Sequence, residues 1–240
     1  FTRFKELDTS LQKVTNALET TLDTIVSGSD IYQYSSLMHK ENPSIVNILS
    51  KHHPNTIVTS ALTVLDNIIF FSNKPKDNNS YVKILGRFKN SRALHWIRED
   101  YINKPDDFNY YKVLVPKSNG TGAIGEVMST PLIGEPLIGE PLIGFTQTFI
   151  SIGTFENREE AENCLKYIKS KFARTMLGIL KVTQHNPRST WKYVPLQDFT
   201  ANSDIDWSKT ISEIDQQLYK KYELNEDEIA FIEEKVQPMD

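Results

Sequence analysis

The sequence predicts a mixed α/β (α+β) fold, in which short strands form a mixed sheet, helices flank it and one long helix lies in the C-terminal half. Three observations predict it: an apolar seam at helical spacing opens the chain, short β-branched and aromatic runs fill the middle, and amphipathic patterns close it. With 240 residues and 39% hydrophobic side chains, the chain can bury a substantial core. We expect three segments: an amphipathic helix with its linker over residues 1–44, a central domain over 45–200 and an acidic helical tail over 201–240.

The opening helix is predicted from residue 4 to near Gly28, because apolar side chains recur there at steps of three and four. These are Leu7, Leu11, Val14, Leu18, Leu22 and Ile25. Such a seam suits packing onto the helix's own domain, and a partner helix is the alternative. A short helical run over residues 44–51 follows Pro43.

Short runs rich in β-branched and aromatic residues predict five strands, since Pro, Gly, Asn and Lys clusters separate them. They cover residues 56–60, 67–71, 81–85, 94–97 and 111–115. Residues 131–144 then read PLIGE-PLIGE-PLIG, with prolines at Pro131, Pro136 and Pro141. Proline at this spacing is incompatible with a helix interior or a central strand. We therefore expect an extended loop or edge segment, followed by a strand over residues 145–152.

The longest helix is predicted from residue 157 to 183, with Glu159, Glu160 and Glu162 near its positive N-terminal end. Its buried stripe would be Ala161, Leu165, Ile168, Phe172, Met176 and Ile179. Its opposite face would carry a basic stripe formed by Lys166, Ser170, Arg174 and Lys181. A strand over residues 191–194 and two helices, 208–222 and 226–236, complete the chain.

Charge is distributed unevenly along a chain whose total is −4. Residues 81–192 hold 16 basic and 11 acidic side chains, whereas residues 193–240 hold 4 and 12. Nucleic-acid binding depends on the local field more than on the total, so a basic middle is compatible with it. An ordinary scatter of surface charge explains the same numbers equally well.

Cysteine content and hydropathy indicate the compartment. Cys164 is the only cysteine, so neither an internal disulfide nor a thiolate zinc cluster can form within one chain. The sequence has no long uncharged apolar run and no charged-then-apolar leader. We expect a cytoplasmic protein without a membrane partner.

Catalytic motifs are scarce. Gly120, Gly122 and Gly125 spell G-x-G-x-x-G, but the pattern runs into the proline repeat instead of opening a helix, which argues against a dinucleotide site. A loop whose backbone N–H groups meet a DNA phosphate, or a plain surface loop, fits better. The acid-x-lysine pattern of metal-dependent nucleases occurs near the end only at residues 233–235, on a predicted helix, and the histidines lack zinc-ligand spacing. We therefore predict no catalytic residue, metal site or cofactor in this chain.

Basic and amide side chains of the middle and of the long helix are the candidate DNA contacts, because Lys and Arg attract phosphates while Arg and Asn can read base edges. The candidates are Lys83, Arg87, Lys89, Arg92, Lys117, Asn119, Lys166, Arg174 and Lys181. Base reading is assigned to residues 83–98 and 117–130. Phosphate contact is assigned to the three candidates on the long helix.

Three strings in the C-terminal half resemble the end of adenine-specific DNA methyltransferases of bacterial restriction–modification systems. They are AENCLKYIKSKFARTMLGILKVTQ (161–184), WKYVPLQDF (191–199) and LYKKYELNEDEIAFIEEKV (218–236). The segments YKVLVPKSNGTGAIGE (111–126) and FTQTFISIGTF (145–155) resemble the part that precedes them. The resemblance covers residues 81–240 and rests on the order of these strings.

This resemblance implies a target-recognition domain in a Type II enzyme that joins a methylase domain, and often a restriction endonuclease, in one polypeptide. The family's Asn-Pro-Pro-aromatic loop and glycine-rich S-adenosylmethionine site are absent from the 240 residues. We therefore expect catalysis and base flipping in upstream domains, which would also bind S-adenosylmethionine and Mg²⁺. The expected partners of this chain are double-stranded DNA and those domains. Two alternatives remain open: a complete metal-dependent nuclease with an unrecognised site, and a protein-interaction module that uses the N-terminal helix.

Overall fold

The computed structural model describes residues 4–17, 19–49, 54–120 and 124–239. This described part contains seven α-helices and nine β-strands in small mixed sheets, so the predicted α+β class is confirmed. The helices are α1 Lys5–Asn16, α2 Ser36–Glu41, α3 Ala61–Val64, α4 Arg158–Lys169, α5 Lys171–Leu180, α6 Ile211–Lys221 and α7 Glu226–Lys235. The strands are β1 Val26–Ser27, β2 Gln33–Tyr34, β3 Tyr81–Phe88, β4 Ser91–Arg98, β5 Ile102–Asn103, β6 Tyr111–Pro116, β7 Leu137–Gly139, β8 Ile143–Phe145 and β9 Phe149–Phe155.

Contacts divide the chain into two compact units that interleave along the sequence. The helical unit comprises Phe1–Val26, Ser118–Ser129 and Asn157–Asp240, and the sheet unit comprises Ser27–Lys117 and Thr130–Glu156. The three consecutive segments expected from the sequence divide the chain differently. Local composition does not reveal this arrangement, because each unit is assembled from stretches far apart in the chain.

The sheet unit is organised around the antiparallel hairpin of β3 and β4. The two strands pair over their whole length, and β8 adds in parallel to residues 83–85 of β3. A second sheet has the order β1-β9-β6-β7, with β6 antiparallel to both of its neighbours. The apolar core of this unit includes Tyr32, Ile84, Ile97, Phe145 and Phe149.

The three copies of the PLIGE repeat adopt three different structures, and the predicted edge segments are confirmed. The first copy forms a turn closed by hydrogen bonds between the backbones of Thr130 and Gly134 in both directions. The second copy supplies β7 and the third supplies β8, each at the edge of its sheet. Gly134 has a φ of 75°, which other residues rarely adopt. A Cβ atom at Gly139 or Gly144 would lie 2.8 or 2.7 Å from a neighbouring side chain, so each copy needs its glycine.

Several predicted strands of the sheet unit are not strands. Residues 56–60 and 67–71 contribute isolated bridges, such as those of Gln33 with Thr56 and of Phe71 with Trp96. Ile57, Ile69 and Phe70 are buried, so core packing explains much of this apolar composition without strand pairing. The predicted strand over 145–152 is divided between the end of β8 and β9. The short helix expected at 44–51 is a 3-10 helix at Pro43–Asn47, and residues 50 and 51 lie outside the described residues.

The predicted long helix of the helical unit breaks at Ser170. It begins as expected, with the Asn157 side chain capping the N–H of Glu160. Ser170 has an extended ψ of 150°, and its hydroxyl accepts a hydrogen bond from the N–H of Ala173 to cap α5. The helical phase of α4 therefore does not continue into α5. Residues 191–194 also differ from prediction, since the chain there leaves the 3-10 helix Arg188–Trp191 instead of forming a strand.

The apolar seam of α1 packs inside the helical unit. The predicted helix to Gly28 ends at Asn16, and its seam lies against α7, where the Phe4 and Phe231 rings are 5.2 Å apart. At the same contact, Lys13 forms a 2.7 Å ion pair with Glu228. The seam residues Leu7, Leu11 and Val14 are therefore buried by the chain itself, while the predicted seam residue Leu18 lies outside the described residues. None of the helices in the described ranges is both long and apolar enough to cross a bilayer.

Candidate nucleic-acid interface

One face of the β3–β4 hairpin packs on the core, and the other is rich in basic and aromatic side chains. Strand alternation directs Val82, Ile84 and Ile97 into the core, where all three are buried. Opposite residues of an antiparallel pair share a face, so the partners Lys83 and Trp96 lie together on the other side. This basic hairpin face consists of Tyr81, Lys83, Arg87, Arg92, Leu94, Trp96 and Arg98, beside the buried Leu85.

Positive charge is concentrated in this hairpin and the segment before it. Residues 74–98 contain seven basic side chains and one acidic side chain, Asp77. Lys83, Arg87 and Lys89 form no ion pair with any described carboxylate. Three uncompensated cations in one hairpin create a local positive field in a chain of net negative charge.

Trp96 forms an aromatic platform under two lysines. The Nζ atom of Lys83 lies 4.9 Å from the centre of the Trp96 ring, and the Nζ atom of Lys74 lies 5.6 Å from it. The backbone of Trp96 exchanges two hydrogen bonds with the backbone of Phe71. These bonds hold the outer edge of β4 in place. Cation–π contact orders the lysine side chains without neutralising their charge.

The hairpin tip is exposed and internally braced. Arg87 donates from Nε to the carbonyl of Lys89 at 2.9 Å and from Nη2 to Oδ1 of Asn90 at 3.1 Å. Lys89 has a φ of 53°, and its N–H donates to Thr63 Oγ1 at 2.9 Å. Lys89, Asn90 and Ser91 are exposed. Arg87 uses only part of its five-donor guanidinium here, so it retains donors for a ligand.

Arg92 lies on the same face, but its guanidinium is engaged by the protein. Nη2 donates to the carbonyl oxygen of Glu135 at 2.5 Å, and the guanidinium carbon lies 5.6 Å from the centre of the Phe149 ring. Burial lowers the pKa of Arg92, while the nearby Glu135 raises it. In this conformation the first repeat copy covers part of the Arg92 side chain.

The remaining basic side chains of this region differ in how they are compensated. Arg98 is neutralised by Glu41 and Asp100, at 2.7 and 2.6 Å. Lys117 has a half-buried side chain, and its N–H donates to the carbonyl of Thr148. Lys117 is therefore a predicted contact whose charge is available to a ligand, as are the hairpin cations Lys83, Arg87 and Lys89.

Arg174 of the helical unit is a structural residue, and its predicted exposed placement is wrong. Its guanidinium donates to the carbonyls of Lys169 at 3.0 Å, of Gly125 at 2.8 Å and of Gln237, and the residue is 1% exposed. Burial lowers its pKa to about 10. The break at Ser170 is the reason, because the exposed face extrapolated from α4 becomes a buried face of α5.

Lys181 and Asn119 are buried together, which also contradicts an exposed placement. Lys181 Nζ donates to the carbonyl of Asn119 at 2.7 Å, and the two residues are 4% and 3% exposed. Lys166 is half-buried and donates to the carbonyls of Trp207 and Lys209 at 2.6 and 3.3 Å. These ammonium groups satisfy backbone carbonyls. The middle of the glycine-bearing loop, residues 121–123, lies outside the described residues.

A Ser, a His and an Asp meet beneath the hairpin tip, but not as a catalytic triad. Nε2 of His95 lies 3.2 Å from Ser72 Oγ and 3.6 Å from Asp66 Oδ1, while its Nδ1 atom has no partner among the described residues. A triad needs the acid on the nitrogen opposite the nucleophile. His95 is buried and its ring packs at a tilt of 45° against Phe88, with centroids 4.5 Å apart, so it supports the tip.

The candidates named from the sequence omit two residues near this face, Lys74 and Asn90, although Asn90 lies within the range 83–98 assigned to base reading. Lys74 lies in a coil far from any periodic pattern, and only the fold brings it over Trp96. Asn90 could have been found, since Lys89-Asn90 between two predicted strands is a turn signal and asparagine is a base reader.

No three His, Cys, Asp or Glu side chains in the part of the chain that the structure describes are grouped to hold a metal ion. Comparison of the whole sequence with protein-family models and with curated proteins found no match.

Proposed function

We propose that the sheet unit binds double-stranded DNA through the β3–β4 hairpin, as the target-recognition part of a cytoplasmic bacterial restriction–modification enzyme. The observation that carries this proposal is the hairpin, where Lys83, Arg87 and Lys89 form no ion pair with a described carboxylate and Lys83 lies over the half-buried Trp96 ring. The resemblance of the C-terminal strings to adenine-specific methyltransferases supplies the biological setting. In that setting, S-adenosylmethionine and Mg²⁺ serve the methylase and nuclease domains of the same polypeptide.

The dimensions of the hairpin fit a DNA groove. Paired strands lie about 5 Å apart, and the major groove of B-DNA is about 12 Å wide and admits a two-stranded ribbon. Since β8 pairs only with residues 83–85, the part of β3 beyond residue 85 pairs with β4 alone among the described strands. One face of this ribbon rests on the core, and Arg87 with the exposed tip residues Lys89 and Asn90 is available to enter the groove.

The side chains divide into two roles. Lys83, Lys89 and Lys117 offer ammonium groups that suit phosphates, which position the protein without reading sequence. Arg87 and Asn90 stand at the tip, and their side chains are the types that read guanine and adenine edges in the major groove. Because Arg87 donates to Asn90 Oδ1, the two are held in a defined mutual orientation.

Selection from a pool of randomised duplexes tests the proposal directly. The chain should enrich a defined duplex, and Asn90→Ala should lose discrimination at one base pair by about 1–3 kcal/mol. Arg87→Lys should also lose discrimination at one base pair, because lysine keeps the charge but lacks the paired N–H donors of the guanidinium. Lys117→Ala should weaken binding to all duplexes alike.

Lys192→Ala is the matched control, since Lys192 is an exposed lysine of the helical unit. No enrichment of any duplex would overturn the proposal, as would tip variants that keep the parental specificity. Preferential binding of single strands or of RNA would also contradict it.

A further inference from the structure

The first PLIGE copy holds Arg92 against the sheet unit. Two contacts from this copy define the hold: the 2.5 Å hydrogen bond to the Glu135 carbonyl, and the close approach of Gly134, where an added Cβ atom would lie 3.4 Å from Arg92 Nη2. The Phe149 ring of β9 contacts the same guanidinium. Ile133 anchors the turn, with 9% of its surface exposed, in the core of the unit. The other arginine of this cross-strand pair, Arg87, has no such cover.

The turn can be removed with little disturbance to the path of the chain. The backbones of Thr130 and Gly134 hydrogen-bond to each other at 3.2 and 2.8 Å, so the chain enters and leaves the turn at neighbouring points. Deletion of residues 131–135 therefore joins two nearby positions. Removing so short a closed loop should leave the conformation of the neighbouring chain nearly unchanged.

The shortened chain can keep both edge strands. Deleting the first or the second copy leaves the same sequence, PLIGE-PLIG, between Thr130 and Phe145. Two copies are enough to form β7 and β8, and the period of five keeps a glycine at the tight positions of Gly139 and Gly144. We expect the two remaining copies to form β7 and β8 and not the turn. The strands gain backbone pairing and buried side chains, whereas the turn contributes one buried side chain, Ile133.

We propose that the first PLIGE copy is a removable cover over Arg92, so that the number of copies sets whether this arginine takes part in DNA binding. The inference rests on the proposed function of the basic hairpin face. With three copies, the Arg92 guanidinium is held by the protein, and Arg87 is the one arginine of this cross-strand pair that contacts DNA. With two copies, Arg92 joins its partner Arg87 on the same face and adds a second bidentate contact.

The test compares the full chain with a variant that lacks residues 131–135. Modification by phenylglyoxal, mapped by mass spectrometry, should be about tenfold faster at Arg92 in the variant, because a guanidinium released from its partners is exposed. Affinity for the selected duplex should rise about tenfold, as expected for one added arginine contact. Arg92→Ala should abolish this gain in the variant and change affinity less than about twofold in the full chain.

Ile133→Ser is a second variant, which loosens the turn at constant length and should accelerate modification in the same direction. It decides the question if the deletion variant does not fold, as judged by circular dichroism. A folded variant of either kind whose Arg92 reacts no faster overturns the cover, and a gain in affinity that survives Arg92→Ala overturns the role of Arg92. If the full chain enriches no duplex, the proposed function fails, while the modification rates still decide whether the first copy covers Arg92.

Discussion

The Nζ atom of Lys83 lies 4.9 Å from the centre of the Trp96 ring, and the two residues are direct cross-strand partners in the β3–β4 ladder. Their register places an uncompensated cation and an aromatic ring on the same side of the hairpin. A second lysine, Lys74, approaches the ring from a different segment. Lys83 and Trp96 therefore belong both to the regular β3–β4 strand pair and to the surface that we propose contacts DNA.

Replacing Lys83 or Lys89 by alanine should weaken binding to all duplexes alike. Each lysine that meets a phosphate releases about one counterion, so each variant should reduce the slope of log affinity against log salt by about one unit. Titrations at several salt concentrations measure this slope. Lys192→Ala should leave it unchanged, and an unchanged slope for both hairpin variants would assign these lysines to ordinary solvated surface.

Tryptophan fluorescence should report DNA binding through Trp96. The other tryptophans, Trp191 and Trp207, are buried, whereas Trp96 is half-buried on the basic hairpin face. Duplex DNA should therefore quench part of the emission, and Trp96→Phe should remove that part. Trp96→Ala should also weaken binding by about 0.5–1 kcal/mol, since the lysines lose their platform. Quenching that persists in Trp96→Phe would place the contact elsewhere.

Arg174→Met should destabilise the protein without changing the salt dependence of DNA binding. The substitution removes the guanidinium that donates to the carbonyls of Lys169 and Gly125 from a buried position, which should lower the free energy of unfolding by about 3 kcal/mol. Arg158→Met is the control, because Arg158 is exposed and forms an i,i+4 pair with Glu162. Its cost should be about 0.5 kcal/mol. Urea unfolding measures both, and a smaller salt slope in Arg174→Met would contradict the structural role.

Asp215 should make the folded state less stable as the pH rises from about 4 to about 6. Burial raises its carboxyl pKa from 3.8 to about 6, although hydrogen bonds from the N–H groups of Lys171 and Phe172 oppose the change. The folded state therefore binds this proton more tightly than the unfolded state does. Between pH 4 and pH 7.5, the wild-type chain should lose about 2–3 kcal/mol more unfolding free energy than Asp215→Asn. Asp227→Asn, at an exposed position of α7, should follow the wild type. Parallel pH profiles for wild type and Asp215→Asn would contradict the raised pKa.

Elements with their own local signals were predictable from the sequence. The runs around Val82 and Trp96 predicted β3 and β4, although the strands extend to the tip by several more residues. Asn157 was recognised as the start of α4, and the last two helices lie within three residues of their predicted bounds. In the structure, capping boxes at Thr210 and Asn225 mark their starts. The break at Ser170 was not predictable, since the apolar pattern continues on both sides of it.

The sequence by itself determined the α+β class, the places of β3, β4 and β6, and the confinement of the proline repeat to edges. Only the tertiary structure decided which cations are available. Lys83 and Arg174 look alike in the sequence, each a basic residue in a periodic segment, yet one faces outward and the other is enclosed by carbonyls. Likewise, three copies of the same PLIG sequence form one turn and two edge strands. The physical reason is the same in both cases: burial and pairing depend on elements distant along the chain, whereas periodicity reports only on neighbours.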